Sequence, residues 1–448
     1  MKRSLRPPRR VIRPAAYVAS LLGAVVVLGT LLLLLPVARA GPGGAPVTTA
    51  FFTSVSAVSV TGLSTVDTAT YWTGLGQAVI ALLMQVGGLG ITTGAALLGV
   101  LVSRRLGLRA RVYSSTETGG GIGDVRRVVL AVTALSFSVE AVASVVLTLR
   151  WWLGYGEPLG HAAWLGVFHS VAAYNNAGFA LFSDNLMGFS SDAVILLTIS
   201  AAVIVGGIGV PVLLDLIARR RRRRDFSLHA RITLWTTGVL LLAGFACVLV
   251  AEWGNPQTLG DMPAPTKVLN SWFASVSPRT AGFNTFDYAD ANPETRLVTD
   301  VLMFVGGGSV STAGGIRVTT LAVLVLVMWA QARGDREVDV AGRRLSLASV
   351  QHALTITVVF AVLSVIGSLG VMTMSSATLD QALFEAVSAL GTVGLSTGLT
   401  PDLGVPAQVW VAVLMFVGRV GPTTLATALA LRQRDRRYQL PEGRVLVG

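Results

Sequence analysis

Four short stretches of the chain fit one pattern, F-x-[SA]-V-[SA]: Phe52-Thr53-Ser54-Val55-Ser56, Phe168-His169-Ser170-Val171-Ala172, Phe273-Ala274-Ser275-Val276-Ser277 and Phe384-Glu385-Ala386-Val387-Ser388. Each Phe is followed nine or ten residues later by a glycine that precedes Leu or Phe. These glycines, Gly62, Gly178, Gly282 and Gly394, lie 116, 104 and 112 residues apart. Such a period marks a fourfold internal repeat. Four copies of a short helix and a glycine-centred loop, set in an apolar chain, can place four groups of backbone carbonyls around one axis, which is how a cation filter is built.

Composition supports that setting. The 448 residues are 52% hydrophobic and only 13% charged, and the mean hydropathy is +0.67; lipid is the fitting solvent. The net charge of +12 does not point to nucleic acid, because the basic residues cluster between apolar spans and form no recognisable basic module. The clusters are Lys2 to Arg13, Arg104 to Arg127, Arg219 to Arg224, Arg333 to Arg344 and Arg432 to Arg437. All five read as cytoplasmic under the positive-inside rule. The single cysteine, Cys247, excludes an internal disulfide framework. The apolar run Ala15 to Val37 before Ala38-Arg39-Ala40 imitates a secretory signal, but it is long enough to span and is expected to be retained as a first helix.

Between basic clusters the order is constant: long apolar span, patterned segment, glycine loop, second apolar span. The expected fold is therefore an all-α polytopic membrane protein made of four parallel pseudo-repeats, each a helix, a re-entrant pore loop and a helix, with eight transmembrane helices and four pore helices around a central pore. First helices are predicted at about 15–37, 127–149, 231–252 and 349–372, and second helices at about 75–103, 191–218, 296–330 and 407–431. The units divide as 1–110, 111–224, 225–335 and 336–448. The pore segments, about 10 to 12 residues long, cannot cross a core of roughly 30 Å and must turn back. Non-helical backbone at that depth is tolerated only when buried in protein or lining a wet path.

The candidate filter is Val60-Thr61-Gly62, Asn176-Ala177-Gly178, Thr280-Ala281-Gly282 and Thr392-Val393-Gly394, with K+ held at the backbone carbonyls. Glycine adopts the conformations such a ring demands without Cβ strain; the competing reading is that each glycine only caps its helix. Asp67, Asp184, Asp287, Asp290 and Asp402 follow the loops, either as an outer cation-concentrating ring or as ordinary solvated carboxylates. A second repeated element follows each filter glycine: Val86-Gly87-Gly88-Leu89-Gly90, Val205-Gly206-Gly207-Ile208-Gly209, Val305-Gly306-Gly307-Gly308 and Val417-Gly418-Arg419-Val420-Gly421. Small residues there suit either close helix packing or an open cavity below the filter. In the third copy the stretch through Gly306, Gly307, Gly308, Ser309, Ser311, Thr312, Gly314, Gly315 and Arg317 is too rich in Gly, Ser and Thr to stay helical. It is expected to form a gating loop. Arg419 is expected to serve the gate, or else to pair with a buried carboxylate, because an unpaired intramembrane arginine is costly. The four histidines show no metal-ligand spacing, no nucleophile arrangement is visible, and no enzymatic activity is expected.

On these residues the chain resembles the Trk/Ktr/HKT superfamily of potassium transporters over nearly its whole length, and most closely the Ktr-type (KtrB) bacterial membrane subunits. No extra N-terminal helix pair of the Trk type is expected, and the closing Pro441-Glu442-Gly443-Arg444-Val445-Leu446-Val447-Gly448 is similar to the tail of the Ktr type. The resemblance implies potassium-selective filter positions at Gly62, Gly178, Gly282 and Gly394, an intramembrane gating loop from Gly306 to Arg317, and a gate arginine at Arg419. It further implies a homodimer with one pore per protomer, seated on a KtrA-like cytoplasmic octameric ring of nucleotide-binding regulatory subunits, with Na+ as activator. No covalent cofactor is expected, any nucleotide belongs to the partner, and the location implied is a bacterial inner membrane with both termini cytoplasmic. A Trk-type K+/Na+ transporter subunit with another regulatory partner is the alternative within the superfamily; a membrane scaffold or multi-span enzyme is the alternative outside it.

Overall fold

In the computed structural model the backbone is described for residues 14–105, 122–219, 226–335, 337–340 and 342–431, with side chains described from 19 to 90 and from 129 to 421 within these. The basic start Lys2 to Arg13, most of the Arg104 to Arg127 and Arg219 to Arg224 clusters, Arg432 to Arg437 and the closing segment from Pro441 lie outside the described residues.

The described chain is almost entirely helical. Its first quarter contains α1 (Pro14–Leu33), α2 (Val47–Ser59) and α3 (Gly74–Arg105). The second contains α4 (Ile122–Tyr155), α5 (Leu159–Asn175), α6 (Ala193–Ile208) and α7 (Val210–Ala218). The third contains α8 (Leu228–Glu252), α9 (Ala264–Val276), α10 (Pro293–Val305) and α11 (Val318–Ala332). A two-residue hairpin, β1 (Asp339–Val340) with β2 (Arg343–Arg344), pairs Asp339 with Arg344. The fourth quarter contains α12 (Leu347–Met374), α13 (Leu379–Gly391) and α14 (Val405–Leu431).

Among the described residues, Val129–Tyr155, Leu228–Glu252 and Leu347–Met374 are each long and apolar enough to cross a membrane, and α6 with α7 would make a fourth span but for a bend of 98°. That bend departs from the expected single helix over 191–218. It falls at Gly209, whose φ of +100° no helix accommodates. The third-quarter break is where the sequence places it, between Val305 and Val318.

The short helices α2, α5, α9 and α13 each pack on the long helix before them, α1, α4, α8 and α12. In the first and third copies the [SA] position of the pattern explains the fit. Ser54 Oγ donates to the Val26 carbonyl of α1 at 2.8 Å, and Ser275 Oγ donates to the Leu241 carbonyl of α8 at 2.6 Å. The facing residues are Gly29 and Gly244, where a Cβ would come within 2.5 Å and 2.7 Å of those hydroxyls. Only small residues let the backbones approach this closely. The pattern's Phe residues, Phe52, Phe168, Phe273 and Phe384, are all buried. The remaining packing is cyclic: α3 touches α5, α6 touches α9, α10 touches α13, and α14 returns to α2.

Candidate functional site

Three of the short helices, α2, α5 and α13, end alike, and the third loop reaches a similar turn after α9 has ended. The N–H groups of Thr61, Ala177, Ala281 and Val393 donate to the carbonyls of Ser56, Ala172, Ser277 and Ser388, the fifth residue of each pattern, at 2.8 Å in all four. Val60, Asn176 and Thr392 close α2, α5 and α13 in the left-handed conformation, with φ of 57°, 60° and 51°. Thr280 has φ of 75° at the matching point. A β-branched residue in that region is strained, at a cost of order 1–3 kcal/mol. In α2, α5 and α13 the cap thus sits two residues before the glycine, and α9 ends earlier still, with its cap at Ser277, so the glycine is not needed to end any of the four helices.

The glycines do something else. A Cβ on Gly62 would lie 2.3 Å from the Ala177 carbonyl oxygen; on Gly178, 2.9 Å from that of Ala281; on Gly282, 2.4 Å from that of Val393; on Gly394, 2.1 Å from that of Thr61. Each loop meets the next in chain order, and the fourth meets the first. The contact closes a ring of backbone with no room for side chains. Ser56 and Ser388 brace it by accepting from the Gly62 and Gly394 N–H groups at 3.0 Å and 3.1 Å. Between the second and third loops, the Asn176 side-chain amide lies 3.2 Å from Thr280 Oγ1.

The loop from Gly306 to Arg317 lies against this ring. Its two ends meet, for a Cβ on Gly315 would fall 2.9 Å from Gly306 Cα. Gly314 faces the Gly391 carbonyl and Thr392 Oγ1, each 2.3 Å from where its Cβ would stand. Thr312 Oγ1 donates to the Tyr174 carbonyl at 3.3 Å. On the other side the loop docks into the α6–α7 break: Gly308 N–H donates to Gly207 O at 2.7 Å, and Val210 N–H donates to Val310 O at 3.2 Å. Ser309 Oγ is 2.9 Å from Thr319 Oγ1.

Two guanidinium groups foreseen from sequence hold the loop. Arg317 Nη1 donates to Gly308 O at 3.2 Å, to Ser311 Oγ at 3.1 Å and to Ala313 O. Arg419, buried, donates to Thr312 O and reaches Gly87 O at 3.3 Å. Among the described residues no carboxylate forms an ion pair with either, so the alternative of Arg419 paired to a buried acid is not met. Their charge is dispersed onto carbonyl oxygens, the loop's foremost among them.

Of the acidic residues after the loops, Asp67, Asp184 and Asp287 accept hydrogen bonds. Asp67 accepts from Ala69 N–H at 2.9 Å, Thr70 Oγ1 at 2.8 Å and Ser183 Oγ at 2.6 Å. Burial pushes its carboxyl up, but these hydrogen bonds outweigh that and hold it below the usual carboxylate value. Asp184 accepts from Gly188 N–H and Asp287 from Ala289 N–H. The backbone contacts are turn capping, and the Ser183 contact ties the segment after the second loop to that after the first.

The buried ionisable groups that were not foreseen include three that touch the short helices or their loops. Arg279, next to Thr280, donates to Gly306 O. Glu140 accepts from Gln85 and Asn175 between α3, α4 and α5. Glu385 accepts from Ser396 and Thr400 across the fourth loop. Glu140 and Glu385 are ionisable residues in apolar surroundings, the signal that singled out Arg419.

The comparisons agree with this architecture. A family model described as TrkH, cation transport protein, matches residues 23–438. The chain is 38% identical to the Ktr system potassium uptake protein B of Bacillus subtilis, covering 94% of each protein, and 37% identical to that of Vibrio alginolyticus, covering 97% and 95%. It is 31% identical to the potassium/sodium uptake protein NtpJ of Enterococcus hirae, covering 98% of each. The crystal structure of the potassium transporter TrkH from Vibrio parahaemolyticus superimposes with a TM-score of 0.74 at 19% identity over 96% of this chain and 87% of that one, a likeness of fold. The relatives are ion transporters, in keeping with the absence of enzymatic chemistry expected from sequence. The chain belongs to the TrkH family of cation transport proteins.

Proposed function

We propose that this chain is the ion-translocating membrane subunit of a bacterial potassium uptake system, passing K+ by gated, channel-like permeation. The observation that carries the reading is the cyclic contact of Gly62, Gly178, Gly282 and Gly394 with the carbonyls of Ala177, Ala281, Val393 and Thr61. A ring of main-chain oxygens can replace the hydration shell of an alkali cation. The filter comprises Val60 to Gly62, Asn176 to Gly178, Thr280 to Gly282 and Thr392 to Gly394. The gate comprises the loop from Gly306 to Arg317 with Arg419. Buried positive charge beneath the ring opposes cation passage while the loop is docked.

The same reading holds that four repeats, 1–110, 111–224, 225–335 and 336–448, cross the membrane eight times with both termini cytoplasmic. It further holds that the chain works as a homodimer on a KtrA-like octameric ring carrying the nucleotide, with Na+ stimulating transport. Similarity to Ktr system proteins supports the regulatory partner. Similarity to a potassium/sodium uptake protein supports a second reading, in which both ions are carried by a Trk-type subunit with a different partner.

The test is rescue of a potassium-uptake-deficient bacterium on limiting K+, with and without a KtrA-type subunit. Gly394→Ser should abolish rescue or raise Na+ entry, because its Cβ would meet Thr61 O at 2.1 Å. Unchanged uptake of both ions by a normally expressed Gly394→Ser protein would sink the filter reading. Rescue that is insensitive to the KtrA-type subunit and carries Na+ as well as K+ would favour the second.

A further inference from the structure

Arg279 stands one residue before Thr280, inside the third loop of the ring, and its residue surface is only 7% exposed. Its Nε and Nη2 both donate to the carbonyl of Gly306, at 3.3 Å and 3.2 Å, and its remaining contacts are Thr237 O and Oγ1 at 3.5 Å and 3.4 Å. Among the described residues it has no carboxylate partner. A buried guanidinium in this state depends on those oxygens, because losing one acceptor leaves charge uncompensated in a low dielectric.

Gly306 is the neck of the gating loop. Its φ is +63°, and a Cβ there would lie 2.2 Å from the Gly314 carbonyl oxygen, while Gly314 in turn abuts Thr392 of the fourth filter loop. One line of contacts therefore runs from Thr280 through Arg279, Gly306 and Gly314 to Thr392. On the same side Asn176 contacts the Arg279 carbonyl at 3.5 Å and Thr280 at 3.2 Å. Arg317 and Arg419 hold the body and tip of the loop; Arg279 alone of the three adjoins a filter segment.

We propose that Arg279 is a positioning residue that couples the filter to the gating loop, so that undocking of the loop withdraws the Gly306 carbonyl and loosens the ring at Thr280. The proposal rests on the filter and gate reading above. Its consequence is that ion selectivity and gate position are linked through one side chain.

The test uses the full chain in proteoliposomes with Cys247 replaced by serine and a reporter cysteine at Ser309. Two quantities are read: the ratio of Na+ to Rb+ flux, and the rate at which the reporter is labelled from the loop side. Arg279→Gln should raise both, by about threefold or more, the scale of coupling carried by a single contact network. Arg279→Lys keeps the charge but not the fork and should shift both less. A bracing role confined to the loop would speed labelling and leave the flux ratio at the parent value; that outcome overturns the coupling, as does a recovered Arg279→Gln protein with both quantities unchanged. Should Arg279→Gln not be recovered, Arg279→Lys decides in the same terms. Failure of the filter reading itself is seen separately, as a flux ratio unmoved by Gly394→Ser.

Discussion

The ring is built from the absence of atoms. All four missing Cβ atoms would stand closer to backbone than real Cβ atoms come, but the clash is graded: 2.1, 2.3 and 2.4 Å from a neighbouring loop's carbonyl oxygen at Gly394, Gly62 and Gly282, and 2.9 Å at Gly178. Backbone conformation ranks them similarly: φ is +97° and +98° at Gly62 and Gly394, beyond the usual left-handed region, but +68° at Gly178, where other residues occur with strain. Alanine should therefore be least damaging at Gly178 and most damaging at Gly394. Rb+ uptake in the rescue strain, at matched protein levels, measures the order; a Gly178→Ala protein as inactive as Gly394→Ala would show that Cβ clash is not what limits these sites. The flanking residues of the pattern were legible for related reasons. Ser54, Ser275 and Ala386 at its third position meet a glycine or a backbone across a helix contact, and the fifth supplies the carbonyl that receives the N–H just before the glycine.

At the scale of elements, most helix positions could be read from apolar runs, and the α10–α11 break from the Gly, Ser and Thr content of 306–317. The α6–α7 break could not be read by repeat logic, because Val205-Gly206-Gly207-Ile208-Gly209 is nearly the same as Val86-Gly87-Gly88-Leu89-Gly90, which continues as helix in α3. The difference is tertiary. The loop of another quarter supplies Gly308 N–H to Gly207 O and Val310 O to Val210 N–H, replacing helical bonds at the break. One local signal existed, Pro211, which stands where the first copy has Thr92 and suits a helix start better than an interior. Arg279 was missed because it stands in the polar stretch Ser275-Val276-Ser277-Pro278-Arg279-Thr280 and not in an apolar run, so its burial left no mark in the sequence. The break makes a prediction of its own. Gly209→Ala places a Cβ 2.4 Å from Ser309 O at a φ of +100°, which costs roughly 1–3 kcal/mol of backbone strain and disturbs the docked loop. The variant should unfold at lower temperature in detergent and leak Rb+ from proteoliposomes that hold it with the parent chain. Parent-like melting and leak would mean that loop docking does not depend on the bend.

At the scale of the whole molecule, cyclic packing closes the ring, since each quarter's second helix supports the next quarter's short helix and α14 supports α2. That closure places every filter loop on one side only if each quarter returns the chain to the other side, and the third quarter is the hardest case. Its α10 and α11 have 13 and 15 residues, about 20 and 22 Å at 1.5 Å per residue, and neither alone crosses a core of roughly 30 Å. Only their combined length exceeds that of the core. Exposed residues report the sidedness: Asp184 follows the second filter loop, and Glu337, paired with Arg344 at 2.7 Å, follows α11 in a basic stretch that the positive-inside rule puts in the cytoplasm. With Cys247 replaced by serine, a cysteine at Asp184 should react with a membrane-impermeant maleimide on intact cells, and one at Glu337 only after permeabilisation. Labelling of both from the same face would mean that α10, the loop and α11 do not cross together. Eight crossings would then be the wrong count, and the loop could not lie beneath the ring as a gate across the permeation path.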